Sequence, residues 1–407
     1  MSATRKRDLR TGRSVWQARR APAIATRPLR RDAKADVLVI GAGVSGILVA
    51  DQLVDAGMDV MLIDRRAPIR GSTPASTALL QYEIDTPLIH LSDAIGRARA
   101  ERVWRRSRLA LDALRQRARA LGVDADCVDR DSLYLDGGLL DEDGLRAEAE
   151  ARRAAGFAVD FLAPGAVRAR FGIGRRAALL SYDDLAADPQ RLAAGFLRAA
   201  MARGARVHAP VEAREVQCLP GGVCVATDVG PMVRARALVF ATGYELARGV
   251  PRRDHSIAST WALATRPQPR NLWPEQCFIW EACEPYLYLR TTPDGRIVCG
   301  GEDEDFSDAQ TRDAMMDDKI ATLESRLARL FPNVDPRADF AWTGSFGASE
   351  NGTPSIGPVP RMKNCYAVMG YGGNGITFSM MAGQILRATI AGAGDLDAEL
   401  FSFTRPL

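Results

Sequence analysis

Three glycines and an aspartate carry the most readable chemistry in this chain. Gly41-Ala-Gly43-Val44-Ser45-Gly46 follows an apolar run from Val37 to Ile40, and Asp64 closes a second apolar run from Val60 to Ile63. Gly41 permits a tight turn, Gly43 lets the backbone approach a pyrophosphate, and Gly46 lets helix and strand pack closely. The helix that follows offers free N–H groups and a positive dipole end to phosphate. Asp64 lies 18 residues beyond Gly46, where a carboxylate accepts hydrogen bonds from a ribose diol. That chemistry is dinucleotide binding. Framed by two strands and a terminal acid, the pattern is far more specific than the glycines alone.

The elements that must position these residues follow from the pattern. A strand, a helix ending at Gly57 and a second strand make a βαβ unit over 35–64. Gly71-Ser72-Thr73-Pro-Ala-Ser76-Thr77, leading into Ala78-Leu-Leu, reads as a second loop-to-helix junction with N–H and hydroxyl donors. Helices are expected near 94–121, 141–155, 188–203 and 312–330, with a short strand at 131–136. Alternating segments over 206–235 read as a small β-meander, in which Cys218 and Cys224 flank a Pro-Gly-Gly turn and are expected to face each other as small buried thiols. Ala237 to Gly243 is a buried strand ending in Ala241-Thr242-Gly243. Strands at 261–265, 277–280, 286–290, 297–300 and 340–345 follow. The chain closes with a strand at 365–369, the turn Gly370-Tyr-Gly372-Gly373-Asn374-Gly375-Ile376, and a helix to about 391.

At 407 residues two domains are expected. The fold class is α/β: a Rossmann-like nucleotide domain in discontinuous segments (35–85, 151–250, 346–407) and an antiparallel β-rich substrate domain (86–150, 251–345). Residues 1–34 form a basic arm carrying +9 of the net +4, which leaves −5 for the rest. A loosely packed, solvated extension is the expected state of that arm, and the slightly acidic remainder argues against a nucleic-acid partner. No apolar run approaches the ~18 residues needed to span a bilayer. Seven scattered cysteines and three histidines without ligand spacing argue against a disulfide framework or a metal site, and for a cytoplasmic, reducing location.

From 35 to 395 the chain resembles the D-amino-acid-oxidase (DAO) family of flavoproteins, which includes glycine and sarcosine oxidases. The resemblance rests on the opening fingerprint with Asp64, on Gly71 to Ser76, on Ala241-Thr242-Gly243, on Thr353-Pro-Ser-Ile-Gly357-Pro-Val-Pro360, and on Gly370 to Ile376. It implies FAD, with Gly41, Gly43 and Gly46 at the pyrophosphate, Asp64 at the adenosine ribose, and Arg65 or Arg66 beside it. Ser72, Thr73 and Ser76 would approach the flavin phosphates and ribityl chain. Gly372 to Ile376 would bring backbone N–H groups and a helix N-terminus to the N1/C2 edge, where reduction places negative charge. No cysteine stands where the sarcosine-oxidase branch attaches its flavin, so noncovalent FAD is expected.

The resemblance implies hydride transfer from a carbon bearing an amine to flavin N5, then imine hydrolysis, with O2 or another acceptor reoxidising the cofactor. Alternatives are a dehydrogenase of the same fold serving a quinone or carrier protein, and an enzyme reaching an RNA or protein-bound substrate through the basic arm. Tyr286, Tyr288 and Arg290 alternate on one face of a strand and could clamp a carboxylate; the same face could equally be solvated. Family members that oxidise amino acids often carry an Arg upstream of the Pro-x-Ile-Gly motif. Here Phe346 stands at that position and Glu350 adds negative charge, which counts against a simple α-amino acid; Glu350 is read as the ammonium partner of a cationic or polyfunctional amine or, equally, as a residue that only shapes the loop. His255 is a candidate base, or a packing residue. Glu83 and Asp85 are secondary candidates for the cleft wall. Oligomeric state is not legible.

Overall fold

The computed structural model describes residues 2–19, 23–252 and 255–405. Among them, two sheets divide the work. One is built on parallel strands in the order Cys365–Met369, Met232–Phe240, Ala33–Ile40, Val60–Ile63, Arg206–His208. Its central strands are nearly continuous runs of Val, Leu and Ile, as expected where both faces are covered. Helices Val44–Asp55, Pro189–Ala202 and Gly375–Ile390 bury one face. The hairpin of Ala213–Leu219 and Gly222–Thr227 covers part of the other. Ligands of such sheets bind beyond the carboxyl ends of the parallel strands, where Ile40, Ile63 and Phe240 end here.

The second sheet has ten strands among the described residues and is antiparallel except where Phe278–Glu281 runs parallel to Val128–Leu135. Helix Met316–Leu330 packs against it. Its strands explain three departures from expectation. Leu79–Leu80 pairs with Ala178–Ala186, so the segment after Ser76 is a short strand and not a helix start. A 3-10 turn at Thr73–Ala75 takes the place of that junction. Val159–Leu162 and Ala178–Ala186, from the segment expected in the nucleotide domain, also pair into this sheet. Ala338–Ser349 likewise runs past the expected boundary at 345.

The basic arm is not a solvated extension. Arg10–Gly12 adds an edge strand to Ala338–Ser349, and Trp16 is buried against Ala262, Ala264, Val298 and Trp342. Some of the arm's cations find partners on the body: Arg10 Nε donates to the Gly71 carbonyl at 3.2 Å, and Arg19 pairs with Asp126. What sequence reads as charge excess is a strap with an apolar anchor. The two hairpin cysteines do not face each other either. Register places Val223 opposite Cys218 and Gln217 opposite Cys224, and the Cys218 thiol is exposed, 3.7 Å from that of Cys365.

Candidate active site

The cofactor end is built from the βαβ turn upward. Gly41 has φ +114°, and a Cβ there would lie 2.2 Å from the Ala241 carbonyl oxygen. A Cβ on Gly46 would lie 1.9 Å from the Gly41 carbonyl oxygen, so this glycine serves helix-on-strand packing. Gly43 differs: its missing Cβ would meet only Thr73 Oγ1, at 3.4 Å. The room beside Gly43 is therefore open to a ligand. Asp64 accepts from the backbone N–H of Ala42 (2.7 Å) and of Arg66 (2.8 Å). Burial raises its carboxyl above the ordinary range, and these two donors oppose that.

A single cavity runs from this turn to the second sheet. Every residue expected to hold a cofactor lines it except Gly46, used in packing, and Gly370, whose missing side chain makes room for the His255 ring. Its wall includes Ser72 Oγ, a buried hydroxyl without a hydrogen-bond partner. An orphaned donor beside an open glycine and a helix N-terminus fits an anionic, phosphate-bearing ligand. Two indoles hold the loop that presents Ser72 and Thr73: Trp16 Nε1 donates to the Ser76 carbonyl (2.7 Å), and Trp342 Nε1 to that of Ala75 (2.9 Å). Thr73 Oγ1 in turn accepts from the N–H of Val44 at 3.0 Å.

Four residues missed by the sequence reading complete this end. Thr4 and Leu9, from the strap, line the cavity. Glu245 pairs with Arg66 (2.6 Å) and accepts from the Arg7 N–H (3.0 Å), and Glu212 lies 3.7 Å from Arg65. Burial works against the Glu245 carboxylate, yet the Arg66 and Arg7 bonds hold it below its usual range. No local pattern announces them, because they come from an arm and a loop joined to the site only by tertiary packing.

At the other end, Tyr286 and Tyr288 line the cavity together with Trp280, Phe346 and Thr260. The two phenol rings lie 5.5 Å apart, and the Tyr288 ring crosses over Gly300, where any side chain would collide with it. Burial raises both phenols. Trp280 stacks on Tyr134 at 3.8 Å, which fixes its ring. Asn374 Nδ2 donates to the carbonyls of Gln81 (3.0 Å) and Glu83 (2.8 Å), locking the glycine turn onto the segment that carries Asp85. Asp85 lines the cavity and accepts from the Gly373 N–H at 2.8 Å, so one donor expected to face the flavin edge is engaged by a carboxylate.

Three expected catalytic positions are corrected. Arg290 shares its strand face with the tyrosines but does not line the cavity. Its Nη1 donates to the carbonyls of Ala78 (2.6 Å) and Ala187 (2.8 Å), and burial pulls the guanidinium down to about 9. It braces the Ser72–Ala78 loop, whose end carries unpaired carbonyls, and leaves no free fork for a substrate carboxylate. Glu350 is exposed in the turn after Ser349 and lies outside the cavity wall. His255 also lies outside it, its ring against Gly370 and its Nε2 2.8 Å from Ser355 Oγ. Glu83 is buried away from the cavity beside Arg152 and Asp184.

A Rossmann-type βαβ turn opening on a cavity walled by an antiparallel sheet defines a dinucleotide-dependent oxidoreductase. The chain belongs to the family of FAD-dependent oxidoreductases known as DAO, whose model matches residues 36–389. It is 25% identical to gamma-glutamylputrescine oxidoreductase of Escherichia coli, over 90% of this chain and 85% of that protein. It is 23% identical to glycine oxidase of Geobacillus kaustophilus, over 86% and 91%. The crystal structure of glycine oxidase from that organism superposes with a TM-score of 0.75 at 20% identity, covering 92% of this chain and all of that one, which establishes the shared fold.

Proposed function

We propose that this flavoenzyme oxidises a C–N bond of a small amine. FAD, when bound, supplies the two-electron acceptor: the C–H bond next to nitrogen breaks, hydride leaves with its electron pair, and C=N forms. The chain's own residues hold the cofactor and the amine and exclude water. Gly43, Ser72 and the N-terminus of helix Val44–Asp55 would hold the pyrophosphate, and Asp64 the adenosine ribose. Tyr286, Tyr288, Trp280 and Phe346 would wall the reacting carbon. Water then hydrolyses the C=N bond to a carbonyl compound, releasing the nitrogen as ammonia from a primary amine or as an amine from a substituted one.

One observation carries this reading above the others. A single cavity joins the open glycine turn to a phenol-lined pocket, so a dinucleotide anchored at one end reaches a small substrate at the other. Such chemistry needs a dry pocket and no strong base, and among the described lining residues there is neither His nor Cys. The lack of a lining thiol supports a noncovalent cofactor. The seven free thiols support a reducing, cytoplasmic setting. Among the arm's described cations, Arg7, Arg10 and Arg19 bond to the body, while Arg5, Lys6, Arg27, Arg30, Arg31 and Lys34 are exposed.

The test is product stoichiometry under air. The reading expects one carbonyl product per amine consumed. Hydrogen peroxide in equal amount marks an oxidase, and turnover only with an added quinone or carrier marks a dehydrogenase. Amine consumed with neither a carbonyl product nor the cyclic imine that an aminoaldehyde forms with its own second nitrogen would refute it.

A further inference from the structure

The substrate end of the cavity is electrostatically one-sided. Among the described lining residues the only cations are Arg65 and Arg66, at the ribose end and held by Glu212 and Glu245. The wall around the two tyrosines has two carboxylates, Asp85 and Asp303, and Arg290 is committed to backbone carbonyls.

Asp303 is aimed by a local irregularity. Strand Ile297–Glu304 pairs with His255–Thr265 through Gly301 opposite Trp261 and Glu304 opposite Ser259, so Glu302 and Asp303 together face Thr260. This is a β-bulge, a device that re-aims a side chain at the price of one unpaired residue. Glu302 takes positive φ (+59°) and turns to Arg326 and Lys319. Asp303 turns the other way, into the cavity beside Tyr286 and Thr260. Its Oδ1 is buried without a hydrogen bond, and the Thr260 and Tyr286 hydroxyls are the carboxylate's polar neighbours. A largely buried carboxylate with an unused oxygen, among aromatic faces that attract cations, calls for a positively charged ligand.

We propose that the substrate is a small diamine with no obligatory carboxylate, whose charged amino group is held by Asp303, with Asp85 as a second anionic contact. This rests on the amine-oxidising reading and deepens it. The amine being oxidised must itself be neutral, so the carboxylates select for the other nitrogen. A simple α-amino acid would bring its carboxylate into a wall that offers it only like charge.

The experiment compares anaerobic flavin-reduction rates for 1,4-diaminobutane, butylamine, glycine and N-methylglycine with the FAD-loaded protein and its variants. The expected order puts the diamine first, at least tenfold above butylamine, with both amino acids far below. Asp303→Asn should cut the rate constant for the diamine at low concentration by roughly 10- to 100-fold, as for loss of a charge-assisted hydrogen bond. Butylamine should change less than about threefold, since it has no second charge. Asp303→Glu keeps the charge and should keep most of the discrimination, and a retained flavin spectrum shows each variant folded. Preference for an amino acid, or an equal loss for both amines in Asp303→Asn, overturns the proposal and leaves the amine reading standing. Reduction by none of the four defeats both.

Discussion

Arg152 offers the sharpest test of how the core holds the site. It is completely buried, donates through Nε to Glu148 at 2.7 Å and through Nη1 to Ser181 Oγ at 3.2 Å, and lies 4.0 Å from Glu83. Its guanidinium also covers the Trp104 ring at 4.7 Å. Glu148 accepts from the N–H groups of Leu88 and Ile89 (2.9 Å each), so the same ion pair caps helix Leu88–Ile95. Replacing Arg152 with Met keeps much of the volume but leaves Glu148 and Glu83 buried without their cation. Breaking one side of a buried pair costs about 3–5 kcal/mol. Part of the damage should pass to the site, because the Gln81 and Glu83 carbonyls anchor Asn374. Asp184 behaves oppositely. Burial, then the charge of Glu83 and a hydrogen bond with it, push its carboxyl well above the usual range, which favours its protonated form in the folded state. A raised folded pKa means stability falls as pH rises from the unfolded value of 3.8 through the folded one. Asp184→Asn should then cost under ~1 kcal/mol at neutral pH and flatten that decline. Urea unfolding of the FAD-loaded protein between pH 5 and 8 measures both. A loss below ~1 kcal/mol in Arg152→Met, or an equal loss in Asp184→Asn, would refute the reasoning.

Other outcomes follow from the same contacts. Gly43→Ala should leave the apoprotein about as stable as before while abolishing FAD retention, since its Cβ enters only ligand space; Gly46→Ala should lose ~1–3 kcal/mol as well, through the clash with Gly41. Isothermal titration with FAD and thermal melts separate the two, and matching behaviour would count against the cradle. Trp16→Ala removes the strap's buried anchor at a cost of about 3–5 kcal/mol. It should expose the first 19 residues to protease and weaken FAD binding through Thr4 and Leu9; an unchanged digestion pattern would sink the strap account. The Asp303 carboxyl is pushed up to about 7, chiefly by burial with Asp85 adding, against the pull of Thr260 and Tyr286. Below that pH it is neutral and cannot hold an ammonium. Flavin reduction by subsaturating diamine should thus rise with pH through about 7 in the native protein and lack that limb in Asp303→Asn.

Much of the cofactor end was legible because its constraints are local. Gly41, Gly43 and Gly46 answer to one turn, Asp64 to one strand end, and the 372–376 turn to one helix start. The substrate end was legible only in part. Alternation put Tyr286 and Tyr288 on one face correctly, yet the same rule carried Arg290 with them, because strand period says nothing about carbonyls waiting at the end of the face. Asp303 stayed hidden: a bulge breaks the alternation that would have assigned its side. Glu350 is exposed, because distance from a motif does not fix which side of a turn a side chain takes. The strap was misread for a related reason: its charges dominate composition, while the single buried Trp16 decides where it goes.

The most direct measurement is the visible spectrum of the FAD-loaded protein mixed anaerobically with pooled small amines and amino acids. The account predicts that the flavin band bleaches with the diamine pool and returns when an electron acceptor is admitted. A flavin band that no pool bleaches would contradict amine oxidation at this cavity.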